Sequence, residues 1–219
     1  MTDLLNELKA VRRTTGSRPV SAEDGREART IVLTRHYDAP IEDVWDAVTD
    51  PERISRWFLP VTGDLKLGGR YQTQGNAGGV IKACEPPRRL RVTWEMGETK
   101  ESDFSEVELR LSEVDGGTEF TLDHVAVVDP AFWDQFGPGA VGVGWDLTLL
   151  GLGAHLRKES FGNPEEFEKT PEARQFTTAS CEAWEAASIA GGIPVETAKS
   201  MAANTTAFYV PPLDEGASS

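Results

Sequence analysis

Residues 137–156 read GPGAVGVGWDLTLLGLGAHL, and the purpose of the glycines in that run decides the fold. Gly137, Gly139 and Gly142 match the dinucleotide-binding pattern G-x-G-x-x-G, which needs a buried strand before it and a helix after it. What precedes them, DPAFWDQF, reads as a capped turn of helix with aromatic side chains, and no strand follows. The βαβ context is absent, so the nucleotide reading fails. Gly137, Gly144 and Gly151 instead share a segment in which Trp145, Leu149, Leu152 and Leu156 recur at helical spacing. Glycine costs up to about 1 kcal/mol per helical site relative to alanine. Repeated glycines in one helix therefore predict a benefit from the missing side chain, either close packing or empty volume. Gly144, Thr148, Gly151 and His155 form a strip of small or polar residues, while Val143, Leu147, Leu150 and Ala154 make the helix apolar on its other side. A helix that is apolar nearly all round is covered on both faces.

The cover for its back is sought downstream. TPEARQFTTASCEAWEAASIAGG opens on a Thr170-Pro171 helix start and closes on Gly191-Gly192, and a second helix runs from Pro194 to about Tyr209, stopped by Pro211-Pro212. This pair is expected to form a lid or flank, with helix-pair dimerisation into a homodimer as the competitor.

Upstream, TIVLTRHY from Thr30 reads as a strand. Ile41, Val44, Trp45 and Val48 then define one apolar face of a short helix, and TDPERISRWF defines another with Asp50 as its cap. GGRYQTQ, GGVIKAC, RRLRVTWEM, FSEVELRLSEV and GTEFTLDHV follow as strands separated by turns. Leu90, Val92, Trp94 and Met96 alternate with Arg91, Thr93 and Glu95; Val107, Leu109 and Leu111 and then Phe120 and Leu122 repeat the pattern. One face of an antiparallel meander is wet and the other faces a core. Residues 1–29 read as an arm, a short helix carrying Leu4, Leu5, Leu8 and Val11 followed by a polar linker. The expected division is this arm, a main domain over 30–158, and a helical extension over 159–219 that ends in a disordered tail.

Composition bounds the function classes. The 219 residues carry 22 Lys+Arg against 36 Asp+Glu, a net charge of −14, which repels nucleic acid. No apolar run approaches the ~18 residues of a membrane span, and the N-terminus lacks the apolar core of a secretory signal, so a cytoplasmic address is expected. Cys84 and Cys181 are far apart and read as buried small hydrophobes. No metal-ligand spacing, paired-carboxylate motif or Ser-His-Asp order stands out, and no metal or cofactor is expected.

The order of strand, two short helices, antiparallel strands and long C-terminal helix resembles the helix-grip fold of the START-like superfamily, also called SRPBCC or Bet v-like. RHYDAPIEDVWDAVTDPERISRWFLP, GDLKLGGRY, PPRRLRVTWE, GGTEFTLDH and GWDLTLLGL are similar to the bacterial homologues of the heat-shock protein 90 ATPase activator. RYQTQGNAGGVIKACEPP and GPGAVGVGWD resemble an actinobacterial-type subset. The resemblance covers about residues 30–156. It implies an α+β fold in which a bent, seven-stranded antiparallel sheet wraps the long helix and leaves a cavity between them. Its members bind lipids, polyketides, hormones or other apolar molecules, and some are cyclases or hydrolases. It supplies no catalytic set to carry over, and the 29-residue arm has no counterpart of the activator's chaperone-contacting N-terminal domain.

Cavity candidates follow from the inward register and the small strip: Arg35, Trp57, Phe58, Trp94, Phe120, Leu122, His124, Trp133, Val141, Gly144, Trp145, Thr148, Gly151 and His155. A histidine of near-neutral pKa suits acid–base work, and an arginine suits a carboxylate or enolate oxygen. Each has a plainer reading. His124 at a strand end reads as half-exposed and satisfied by backbone, His155 as a cation at a helix C-terminus, and Arg35 as a salt-bridge partner of Asp38 or a neighbouring acid. The expectation is a binder of a small, largely apolar molecule rather than an enzyme. The alternatives are a cyclase, dehydratase or hydrolase acting on an aromatic or polyketide-like compound, and a protein-interaction or co-chaperone-like module.

Overall fold

The computed structural model describes residues 3–21, 25–97 and 104–212; the expected disordered tail end, from 213, lies outside them. In chain order the elements are α1 (Leu4–Lys9), β1 (Val11–Pro19), β2 (Glu27–Tyr37), α2 (Ile41–Thr49), α3 (Pro51–Ile54), β3 (Val61–Gly63), β4 (Arg70–Thr73), β5 (Gly78–Glu85), β6 (Arg89–Thr93), β7 (Ser105–Val114), β8 (Gly117–Ala126), α4 (Pro130–Phe136), α5 (Gly139–Leu156), α6 (Pro164–Phe167), α7 (Pro171–Ala190) and α8 (Val195–Tyr209). The strands form one sheet in the order β1-β2-β8-β7-β6-β5-β4-β3, antiparallel at every pairing.

The sheet has eight strands, one more than the seven implied by resemblance. The segment expected to be a polar linker forms β1, paired along its whole length with β2 from Val11↔Arg35 to Pro19↔Glu27. Its composition is that of an edge strand: only Val11 is buried, Pro19 sits at its end, and arginines guard it, as solvent-facing edges require. Arg18 reaches past β2 to Asp123 on β8. The boundary drawn at residue 29 thus falls inside β2.

The alternating pattern predicted for the meander appears as one buried face. Ile31 and Leu33 on β2, Val92 on β6, Val107 on β7 and Phe120 and Leu122 on β8 join Val44, Trp45 and Val48 of α2 in the main core. Met96 departs from it: β6 ends at Thr93, and the Met96 side chain is 63% exposed.

Helix α5 lies in the concavity of this sheet, and its back is covered by both ends of the chain. Leu8 of α1 and Phe176 of α7 close over Leu150, while Cys181, Trp184 and Ala187 of α7 pack with Val143. The tail helices therefore flank α5 and are not a lid across the sheet.

One acidic residue of α5, which sequence reading passed over, fixes this arrangement. The side chain of Asp146 is 0% exposed and is met only by donors: Arg13 of β1 through Nε (3.1 and 3.0 Å) and a terminal nitrogen (2.8 Å), Ser180 Oγ at 2.5 Å and Trp184 Nε1 at 3.0 Å. Burial pushes its carboxyl above the ordinary range, against the pull of Arg13, Ser180 and Trp184. Its surroundings suit the ionised form, which only accepts hydrogen bonds. The signal for it was legible in principle: a lone carboxylate on a helix apolar all round needs buried partners.

Candidate functional site

Between α5 and the inner face of β4–β8 lies an apolar chamber of about 180 Å³. Its walls are Leu90, Val92, Val107, Leu109, Phe120 and Leu122 from the strands and Trp145, Leu149 and Leu152 from the helix, with Trp57 and Phe58 at the α3 end. The wall is apolar because the inward positions of each strand carry branched aliphatic or aromatic residues, the same alternation that sets the register. Trp57 is held at the rim by its indole N–H, which donates to the Ala47 carbonyl at 2.9 Å.

The chamber shares Phe58, Trp94, Trp145 and Thr148 with a wider cleft of about 810 Å³. Trp94 and Trp145 stand between the two spaces with ring centroids 5.0 Å apart. Polar groups gather on the cleft side, among them Ser105, His124, Glu95, Glu106 and Asp129.

His124 departs from the half-exposed, backbone-satisfied expectation. It is buried and held entirely by side chains, accepting at Nδ1 from the Trp145 indole N–H at 3.1 Å and facing Ser105 Oγ through Nε2 at 2.9 Å. Burial pulls its pKa down to about 4, so the ring is neutral at physiological pH. An indole N–H only donates, so Nδ1 accepts and the neutral ring carries its proton on Nε2. That proton points at the Ser105 oxygen. A histidine in this state cannot take a proton from Ser105, which removes the basis for serine activation.

The other candidates divide into two groups. Phe120 and Leu122 wall the chamber, Val141 and Gly144 line the cleft, and Thr148 lines both while donating to the Gly144 carbonyl at 2.8 Å. Trp133, Arg35, His155 and Gly151 are not part of the chamber or cleft. Trp133 lies under the Arg29 guanidinium, 4.7 Å from its ring centroid, beside a separate small depression.

Arg35 has the inward register predicted for it. It is nonetheless engaged by Glu7 of α1 and stacked over Tyr37; Glu7 is brought there by the pairing of β1 with β2, where Val11 lies opposite Arg35, a pairing the sequence did not reveal. His155 faces Arg53 at 3.4 Å on the α3 side, and its pKa is lowered first by desolvation and then by Arg53 and Arg56. Cys84, expected to be buried, is exposed at the chamber rim, whereas Cys181 is buried as expected.

The glycines of α5 serve close packing more than empty space. A Cβ at Gly142 would lie 2.1 Å from the Trp184 ring, and one at Gly151 would lie 2.9 Å from the Trp57 carbonyl. Of the predicted small strip Gly144 and Thr148 line the cleft, and a Cβ at Gly144 meets no closer atom than the Tyr209 hydroxyl at 3.5 Å.

An α+β fold whose bent antiparallel sheet holds a long C-terminal helix over an interior apolar chamber defines a helix-grip protein. Residues 38–157 match the family described as activator of Hsp90 ATPase homolog 1-like protein, and the chain belongs to that family. Among solved structures it is similar to CalU16 from Micromonospora echinospora. The solution structure is 42% identical with a TM-score of 0.66, covering 84% of this chain and 97% of that one. The crystal structure is 39% identical with a TM-score of 0.64, covering 81% and 98%. The protein MLL2253 from Mesorhizobium loti, 22% identical with a TM-score of 0.52 over 60% of this chain and 99% of its own, shares the fold. No curated protein matches the chain. The high coverage of CalU16 extends beyond the family match into the flanking segments. Among the described residues no helix is long and apolar enough to cross a membrane.

Proposed function

We propose that the protein binds a small, largely apolar molecule in the chamber between the sheet and α5, with the cleft as its mouth. One observation carries this reading: an apolar chamber shares an aromatic pair with a larger polar-lined cleft, the layout of a small-molecule site. Well-packed cores leave few voids of this size, and here the surrounding helix is otherwise packed to contact.

The cyclase, dehydratase or hydrolase alternative needs at least two titratable groups converging on the ligand. Tyr71 on the chamber wall donates to the Thr93 carbonyl at 2.7 Å and is pushed up by burial, and His124 is fixed as the Nε2–H tautomer. Neither is disposed to accept a proton near pH 7, and the carboxylates Glu95, Glu106 and Asp129 line the cleft and not the chamber, which favours binding over turnover.

Native mass spectrometry of gently purified protein, followed by denaturing extraction, tests the reading. The expected result is a reproducible small-molecule adduct that is released on denaturation. A clean apo mass, together with no displacement of tryptophan emission by any apolar aromatic probe, overturns it.

A further inference from the structure

The Ser105 hydroxyl lines the cleft beside the aromatic pair shared with the chamber, and its hydrogen-bonding direction is set by the fold. The setting runs through three side chains on β7, β8 and α5. Trp145 can only donate, so Nδ1 of His124 accepts at 3.1 Å. The proton of the neutral ring then sits on Nε2 and is given to Ser105 Oγ at 2.9 Å. Among the described residues His124 is the one partner of that hydroxyl. Its oxygen thus accepts one hydrogen bond, while its own proton has no acceptor among the described residues. Ser105 is half-buried and lines the cleft beside Trp94 and Trp145.

We propose that Ser105 is a specificity-determining donor that selects ligands bearing a neutral hydrogen-bond acceptor, such as a ketone carbonyl, on an apolar ring system. This rests on the binding reading above, and it adds which atoms of the ligand are recognised. The apolar body fills the chamber, and the carbonyl oxygen reaches back to the Ser105 hydroxyl at its mouth. A ligand offering only a donor at that point leaves the Ser105 proton without an acceptor. A carboxylate is disfavoured as well, because Glu95, Glu106 and Asp129 line the same cleft. Among the described residues one lysine, Lys82, lines it; against desolvation, the Glu95 carboxyl is held below its ordinary range first by hydrogen bonds from Arg70 and Thr93, and Lys82 adds to them.

The experiment compares three probes of one size class on the full chain: 2-acetylnaphthalene, 2-ethylnaphthalene and 2-naphthoate, followed by quenching of tryptophan emission. The ketone is expected to bind about two- to tenfold more tightly than the ethyl compound, the span of one neutral hydrogen bond, with naphthoate weakest. S105A is expected to bring the ratio of ketone to ethyl affinity to about one, with the far-UV circular dichroism of the variant checking that the fold is intact. S105T is expected to keep the preference.

Equal binding of ketone and ethyl compound by the unaltered chain overturns the proposal but leaves the binding reading standing. So does a preference that survives in S105A. Naphthoate binding tightest overturns the selection of a neutral acceptor. Failure of all three probes to bind counts against the chamber as a binding site, and the Ser105 role falls with it.

Discussion

Trp145 and Asp146 are neighbours in sequence, yet they face two regions of the molecule built on opposite terms. On the Trp145 side, α5 borders a void, and its polar neighbour is a neutral histidine reached by a single indole hydrogen bond. On the Asp146 side there is contact everywhere: a ring against Gly142, a phenylalanine and a leucine over Leu150, and a buried charge gripped by three residues from both ends of the chain. The lesson is mechanical. A helix can border an unfilled space only if something else fixes its position, and here the fixing is done from behind.

That contrast can be broken most forcefully at the ion pair. Arg13→Met leaves the Asp146 carboxylate buried without its cation, and such a loss costs about 3–5 kcal/mol. A urea titration is expected to show a large drop in midpoint, and the double variant with Asp146→Leu is expected to recover part of it. A small effect of the single variant would mean that the back face is looser than its geometry.

Protonation probes the front face. His124 has a folded pKa of about 4 against about 6.5 in the unfolded chain, so the unfolded state takes up the proton first. The contribution of the neutral ring is complete above about pH 6.5, is lost as pH falls toward 4, and amounts to about 3 kcal/mol at most. Stability measured against pH is expected to slope less steeply in this window for His124→Gln, whose amide oxygen can still accept from Trp145. Parallel slopes would remove the histidine from the account.

Two alanine substitutions two residues apart sharpen the comparison at smaller scale. Gly142→Ala drives a methyl into the Trp184 ring, and overpacking of this kind costs about 1–3 kcal/mol. Gly144→Ala meets only the Tyr209 hydroxyl at ordinary contact distance and removes the flexibility of a helical glycine, so a gain of up to about 1 kcal/mol is expected. Thermal melts of the two variants should move in opposite directions. Movement in the same direction would mean that both sites are packed alike.

The fold was legible where side-chain period reported burial. Leu90, Val92 and Trp94, Val107 and Leu109, and Phe120 and Leu122 alternate as their strands demand, and the apolar circumference of α5 foretold a cover on its back. What escaped was β1, because an edge strand buries almost nothing and so leaves no pattern in VRRTTGSRP. For the chamber, inward register was informative for Phe120, Leu122 and Trp94 but ambiguous for Arg35. An inward position says nothing about which distant residue arrives to meet it. The glycines misled in part for the same reason: period alone cannot tell a neighbouring ring from a neighbouring void. Ser105 was invisible as a site residue because its role depends on the tautomer of His124, a property of three strands and helices assembled together.

The grip on Asp146 also bears on how the chain is made. Arg13 leaves the ribosome early, but Ser180 and Trp184 follow Asp146 only after the rest of α5, α6 and half of α7 have been synthesised. For a time on the order of seconds at ordinary elongation rates, the nascent polypeptide carries the completed sheet and an α5 whose apolar back and carboxylate await their cover. Translation order thus makes the last third of the sequence the step that seals the molecule.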